Sequence, residues 1–253
     1  MRILLSNDDG VHAPGLAALS AAFPGDEVWV VAPDREQSAS SHSISLQRPL
    51  RITELGPRRF AVDGTPTDAV YLGLNQVLKG RRPDIVVSGV NSGPNLGSDV
   101  HYSGTVAAAM EGALLGCHAI AVSLVARPPH AFEHAARFAA ALAHRLLADP
   151  PKRPALLNVN VPAGPVKGYR LVRLGRRTYG NEVVEKKDPR GRAYYWIGGE
   201  AATSEDIPHS DCNCVFFDGL VSVTPLELDW THESLLEDLK GLDLDGYHEE
   251  PSI

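Results

Sequence analysis

Met1-Arg2-Ile3-Leu4-Leu5-Ser6-Asn7-Asp8-Asp9-Gly10 opens the chain. Its apolar run closes on Asn-Asp-Asp-Gly, the pattern of a buried strand that ends in a turn. A strand with no polar alternation is covered on both faces, as in a parallel α/β sheet. Ligands of such sheets sit outside the carboxyl ends of the strands. That rule puts Asp8 and Asp9 where a ligand would be. Two adjacent carboxylates repel, and a confined site that keeps both ionised calls for a cation. An all-oxygen donor set suits Mg²⁺, Mn²⁺ or Ca²⁺ rather than a thiophilic metal. Asn, Asp and Gly are also ordinary turn formers, so the stretch needs support from elsewhere in the chain.

Further strands follow the same pattern. Glu27-Val28-Trp29-Val30-Val31-Ala32 is a second apolar run, with a short helix predicted over Pro14 to Phe23. Strand, helix and strand in about 30 residues make a right-handed βαβ unit. Asp84 to Ser88, Ala119 to Val125 and Ala155 to Val161 read as the next strands. Helices are predicted from Thr65-Pro66, from Ser103 and over Ala131 to Ala148. Ser43 to Thr53 and Arg59 to Val62 alternate around Gly56-Pro57, so a hairpin insertion is expected at about 43–63. Residues 1–162 therefore read as a doubly wound, mostly parallel α/β core. Beyond Pro162 the alternation stops and an aromatic cluster appears, Tyr194-Tyr195-Trp196. Residues 163–253 read as an extension serving an oligomer interface.

The whole chain bounds the function. It has 253 residues, and 24 Lys plus Arg against 31 Asp plus Glu give a formal charge of −7. That balance argues against a stable nucleic-acid complex, which needs a basic face. No apolar run is long enough to span a membrane. The strand at the N-terminus leaves no room for a signal peptide, so the cytoplasm is expected. Three cysteines, Cys117, Cys212 and Cys214, match neither a disulfide framework nor a zinc spacing.

Four segments should meet at one sheet edge: Asn7 to Gly10, Pro33 to Ser43, Gly89 to Asp99, and Ser103-Gly104-Thr105. The Gly89 loop is neither a dinucleotide fingerprint nor a P-loop. Ser103 is the expected N-cap of a helix rich in Ala and Gly. Its N-terminus offers N–H groups to an anion, with Gly104 allowing close approach and a left-handed backbone. Carboxylates, neutral oxygens and an anion-binding helix end together fit a divalent cation and a phosphate monoester.

The motifs Ser-Asn-Asp-Asp-Gly-Val-His-Ala-Pro-Gly at 6–15, Ala-Pro-Asp-Arg at 32–35, Gly-Thr-Pro-Thr-Asp at 64–68, Ser-Gly-Val-Asn-Ser-Gly-Pro-Asn at 88–95 and Tyr-Ser-Gly-Thr-Val-Ala-Ala-Ala-Met-Glu-Gly at 102–112 resemble the SurE family of stationary-phase survival proteins. Asp-Pro-Arg-Gly at 188–191 and Tyr-Trp-Ile-Gly at 195–198 extend the likeness over nearly the whole chain. The resemblance implies a Rossmann-like core whose C-terminal extension is exchanged between protomers in dimers or tetramers. It implies a 5′/3′-nucleotidase acting on nucleoside monophosphates, with activity in some members on short polyphosphate or oligonucleotide ends. One divalent cation per subunit (Mg, Mn or Co) is expected on Asp8, Asp9, Ser38 and Asn91, with Ser40 and Ser41 close to the serine position. Gln37 stands where the family often has Arg or Lys. Phosphate contacts are expected from Asn95, Ser103, Gly104 and Thr105. In that reading Asp8 or Asp9 activates water, and His42 and His101 are the candidate acids for the leaving alcohol. An aspartyl-phosphate route and a nucleotide sensor without turnover are the alternatives.

Overall fold

The computed structural model describes residues 1–126, 131–180, 183–198 and 203–242. Its main sheet has nine strands. They are β1 (Arg2–Ser6), β2 (Glu27–Pro33), β3 (Ile52–Gly56), β4 (Arg59–Val62), β5 (Ile85–Ser92), β6 (His118–Val125), β7 (Leu156–Pro162), β8 (Tyr169–Leu171) and β13 (Val221–Leu226). Four short strands, β9 (Arg177–Thr178), β10 (Val183–Lys187), β11 (Ala193–Ile197) and β12 (Thr203–Ser204), form two small ribbons off it. The sheet order is β3-β4-β2-β1-β5-β6-β7-β13-β8. β1 is parallel to β2 on one side and to β5 on the other. The chain thus winds one way from β1 and then back across it, which makes the carboxyl ends of β1 and β5 the switch point.

Alternate residues of β1 face opposite layers, which is why the run shows no polar alternation. Ile3 and Leu5 pack with Leu16 and Leu19 of α1 (Pro14–Ala21) and Ala139 of α4 (Glu133–Ala148). Leu4 packs with Val70 of α2 (Pro66–Leu72) and Val106 of α3 (Gly104–Leu114) on the other face. α2 starts as read: Thr65 and Asp68 close a capping box with Pro66 in the first turn. Small residues let α3 lie close to the sheet, since a Cβ on Gly112 would come 2.7 Å from a Val86 methyl.

Three expectations need correction. The first strand of the hairpin is Ile52–Gly56, not Ser43 to Thr53. Residues just before it hold to α2 instead, through Ser45 N–H to Asp68 (2.8 Å) and the Thr65 hydroxyl to the Ser43 carbonyl (2.7 Å). β5 does not stop at Ser88. It runs to Ser92 through a register shift between Ser88 and Asn91, and resumes pairing as Asn91 with Ser123. Gly89 allows this, since it lies at φ 135° with the Val122 carbonyl 2.3 Å from where a Cβ would stand. Finally, the sheet crosses position 162. β13 pairs antiparallel with β7 and β8 pairs parallel with β13, with Val221 and Val223 in the core. The β10–β11 ribbon stands exposed along its whole length.

Candidate active site

The loops after β1, β2 and β5 and the start of α3 meet in a cleft of about 900 Å³ lined by Asp8, Asp9, Ser38, Asn91, Asn95 and Ser103. Local bonds hold each loop. The Asn7 amide donates to the Gly10 carbonyl (3.0 Å) and closes the turn that carries both aspartates. The Gln37 N–H donates to the Asp8 carbonyl (2.7 Å) and fastens the serine-rich loop to that turn.

Asp8 is 5% exposed. Burial pushes its carboxyl up to about 6, and the Asp9 charge adds to the rise. The Thr105 hydroxyl and backbone N–H donate to the carboxylate and oppose it. This changes the reading of Thr105. Its hydroxyl was expected on phosphate, but Thr105 is wholly buried and spends that donor on Asp8. The first anion at the N-terminus of α3 is therefore the protein's own Asp8.

Ser103 caps α3 as expected, accepting from the Val106 N–H at 3.1 Å. Gly104 is needed for a reason other than the one read from sequence. It is the first residue of α3 and carries no left-handed φ. A Cβ there would meet the Asp8 Cβ at 2.7 Å, the Ser40 Oγ at 2.8 Å and the Asp8 Oδ2 at 3.0 Å. Asn95 is fixed from below, its amide donating to the Ser123 hydroxyl (2.8 Å) and its carbonyl receiving the Asn158 and Asn160 amides. The Asn91 amide nitrogen donates to the Gly93 carbonyl (2.9 Å), so Oδ1 is the atom through which this residue could hold a cation. Ser38 lines the cleft from an exposed position, with its hydroxyl donated to Glu36 at 2.8 Å.

These donors fit a hard cation. Among the described residues, no three His, Cys, Asp or Glu side chains gather as a metal site. The donors brought together are two carboxylates with neutral amide and hydroxyl oxygens, which suits Mg²⁺ or Mn²⁺. The elevated Asp8 carboxyl is also what a bound cation would relieve.

The two expected acids are placed elsewhere. His42 lies 2.9 Å from Glu111, and His101 sits edge-on to Trp230 with ring centroids 6.2 Å apart. Both line a neighbouring cavity of about 260 Å³, which meets the cleft at Ser103. What the sequence reading missed is a contribution from beyond Pro162. Tyr179 and Ile197 line the cleft. The Tyr179 hydroxyl donates to Asp99 at 2.5 Å, and the Arg177 guanidinium pairs with the same carboxylate. Burial and the Asp99 charge push the Tyr179 phenol up to about 12. No local pattern marks these contacts, because their partners lie 78 and 80 residues apart.

A family model described as Survival protein SurE matches residues 3–181. The chain belongs to the SurE family. A "5′-nucleotidase SurE" of Anaeromyxobacter sp. (strain Fw109-5) is 72% identical over 254 residues, covering all of both chains. Another of the same name from Myxococcus xanthus (strain DK1622) is 59% identical over 98% of this chain and 95% of its own. The crystal structure of the SurE protein from Aquifex aeolicus superposes with a TM-score of 0.83 at 38% identity, covering 95% of this chain and 98% of that one. The mostly parallel α/β sheet is thus shared with a solved member of the family.

Proposed function

We propose that this SurE-family chain hydrolyses nucleoside 5′- and 3′-monophosphates to nucleoside and phosphate, with one divalent cation per subunit. The observation that carries this reading is the adjacent pair Asp8 and Asp9 at the switch point, with Asp8 buried against the start of α3. The names borne by its relatives supply the substrate class.

Asp8, Asp9, Ser38 and Asn91 would hold the cation. When bound, it supplies Lewis-acid charge to a phosphoryl oxygen and acidifies water. The protein's own groups do the rest. Thr105 keeps Asp8 ionised and fixed. Asp9, the less buried of the two, orients the attacking water and takes its proton as the new P–O bond forms. The ester P–O bond breaks, and the departing alkoxide takes a proton, which Asp9 can return. Ser103, Gly104 and Asn95 form the wall against which the phosphoryl group rests, at a helix end that favours negative charge. With His42 and His101 outside the cleft, neither serves as the acid in this scheme.

Short polyphosphate is a secondary substrate in this reading, because the wall recognises the phosphoryl group. The same reading includes cytoplasmic function and self-association through residues 163–253. Exposed apolar side chains on both faces of the β10–β11 ribbon, Val183, Tyr195 and Ile197 on one and Val184 and Trp196 on the other, support association. Phosphate release from 5′-AMP and 3′-AMP with Mg²⁺, Mn²⁺ or Co²⁺, and its loss in EDTA, tests the activity. Tight AMP binding with no release would instead favour a sensor.

A further inference from the structure

The cleft is larger than its phosphate chemistry requires. A phosphoryl group and one cation fill only a small part of about 900 Å³, a volume that takes a whole small molecule. Two of its lining side chains are aromatic and open to solvent: Tyr102 is 68% exposed and Tyr179 is 51% exposed. No step of the proposed hydrolysis uses either ring.

Both residues are fastened at one place. Asp99 lies in the 3-10 turn Gly97–His101, four residues from Asn95 and four from Ser103. Its carbonyl accepts the Tyr102 N–H at 3.0 Å, and its carboxylate accepts the Tyr179 hydroxyl at 2.5 Å. The Arg177 guanidinium pairs with that carboxylate and stands over the Tyr179 ring, 5.5 Å from its centroid. Tyr179 is thus held at its hydroxyl and by a cation against the ring, while half of the side chain stays open. A ring already fixed in place loses little further freedom when a ligand stacks on it. Its one donor is spent on Asp99, so what it offers a ligand is chiefly its face.

We infer that Tyr179, with Tyr102 beside it, is the stacking platform for the nucleobase of a monophosphate whose phosphoryl group lies against Asn95 and Ser103. The inference rests on the nucleotidase reading of this cleft and deepens it. One turn of chain separates the Asp99 anchor from that wall, which suits the single sugar between phosphate and base in a mononucleotide. Ile197 of β11 adds an apolar side chain to the cleft lining. Stacking uses the π face common to every base. The site therefore separates nucleotides from phosphate esters that lack a base, and accepts purines and pyrimidines alike.

The test compares AMP and UMP with ribose 5-phosphate, which carries the same ester without a base, using the full chain with Mn²⁺. Tyr179→Leu should raise KM for both nucleotides about tenfold, the scale of one base–aromatic stack, and leave kcat within about twofold. KM for ribose 5-phosphate should stay within about twofold, since it has no base to lose. Tyr179→Phe keeps the ring and should recover most of the loss. Adenosine binding to the metal-free chain, followed by saturation-transfer NMR, should be present in wild type and lost in Tyr179→Leu. Should Tyr179→Leu misfold by thermal melt, Tyr102→Leu is read the same way. An equal rise in KM for ribose 5-phosphate would mean that Tyr179 only braces Asp99, and an unchanged KM for the nucleotides would mean that no base rests on it. Either result overturns the inference. Adenosine binding that depends on Tyr179, in a protein that releases nothing from AMP, sinks only the nucleotidase. Release from AMP with unchanged KM in Tyr179→Leu sinks only the inference.

Discussion

Asp8 combines burial, a like-charged neighbour and a dedicated donor, and each has a measurable consequence. Burial pushes its carboxyl up to about 6, above the ordinary value of 3.8. A carboxyl raised on folding leaves stability intact below pH 3.8, where both states hold the proton. It weakens the fold progressively as pH rises towards and past 6, where ionisation is forced in a buried place. Asp8→Asn should therefore raise the Tm of the metal-free protein relative to wild type. The gap should widen between pH 4 and pH 8, while phosphate release is abolished. A melt series in EDTA reads the first effect, and a gap that is flat with pH counts against it. Thr105 acts in the opposite direction, because its hydroxyl favours the ionised carboxylate. Thr105→Val should move the Asp8 carboxyl further up and cost about 1–3 kcal/mol of charge stabilisation. Mn²⁺ binding, which needs the carboxylate, should then require a higher pH than in wild type. A binding midpoint that stays in place would mean that Thr105 does not tune Asp8. The Asp-Asp pair was legible in the sequence because strand and turn are local patterns. The role of Thr105 was not, since its partner lies 97 residues away.

At the scale of elements, α3 is where the reading of the sequence and the structure part most usefully. Its capping serine and its small-residue face are local features, and both appear as read. The need for Gly104 is not local. The position has helical backbone, so alanine suits it conformationally, yet Asp8 and Ser40 fill the space a methyl would take. Gly104→Ala should thus push the carboxylate and the serine loop apart. We expect at least a hundredfold loss of phosphate release, weaker Mn²⁺ binding, and about 1–3 kcal/mol lost from overpacking. Equilibrium titrations with Mn²⁺ and denaturant check both parts. Wild-type metal affinity in Gly104→Ala would show that Asp8 yields without consequence. β5 gives a parallel case. Its apolar run ends at Ser88, but pairing resumes beyond Gly89 because the bulge lets Asn91 meet Ser123.

Across the whole molecule, residues beyond Pro162 divide into two populations. β13 and β8 complete the sheet, and Arg177 and Tyr179 clamp Asp99 at the cleft rim. The β10–β11 ribbon is left exposed, with Trp196 at 61%. If that ribbon joins protomers, Trp196→Glu should yield smaller species in sedimentation velocity. The Tm of the core should change little, because the side chain packs against none of the buried clusters. An unchanged sedimentation coefficient in the variant would remove the ribbon from the interface.

What the sequence by itself determined is the run of parallel strands β1, β2, β5, β6 and β7, the helix caps at Thr65 and Ser103, and the aspartate pair. All of these follow from burial on two faces and from bonds within a few residues. β13 (Val221–Leu226) has an apolar, β-branched run that suits a strand, but nothing local gives its place in the sheet. It carries buried Ser222 and Thr224 alongside its valines and joins β7 from the far side of more than 50 residues. Only the tertiary structure decided that pairing, together with the donor that Asp8 receives, the hydroxyl that faces the start of α3, and the exclusion of His42 and His101 from the cleft. Each depends on which distant backbone comes within about 3 Å of which side chain, and that distance is set by the packing of α3 and the serine loop against the sheet.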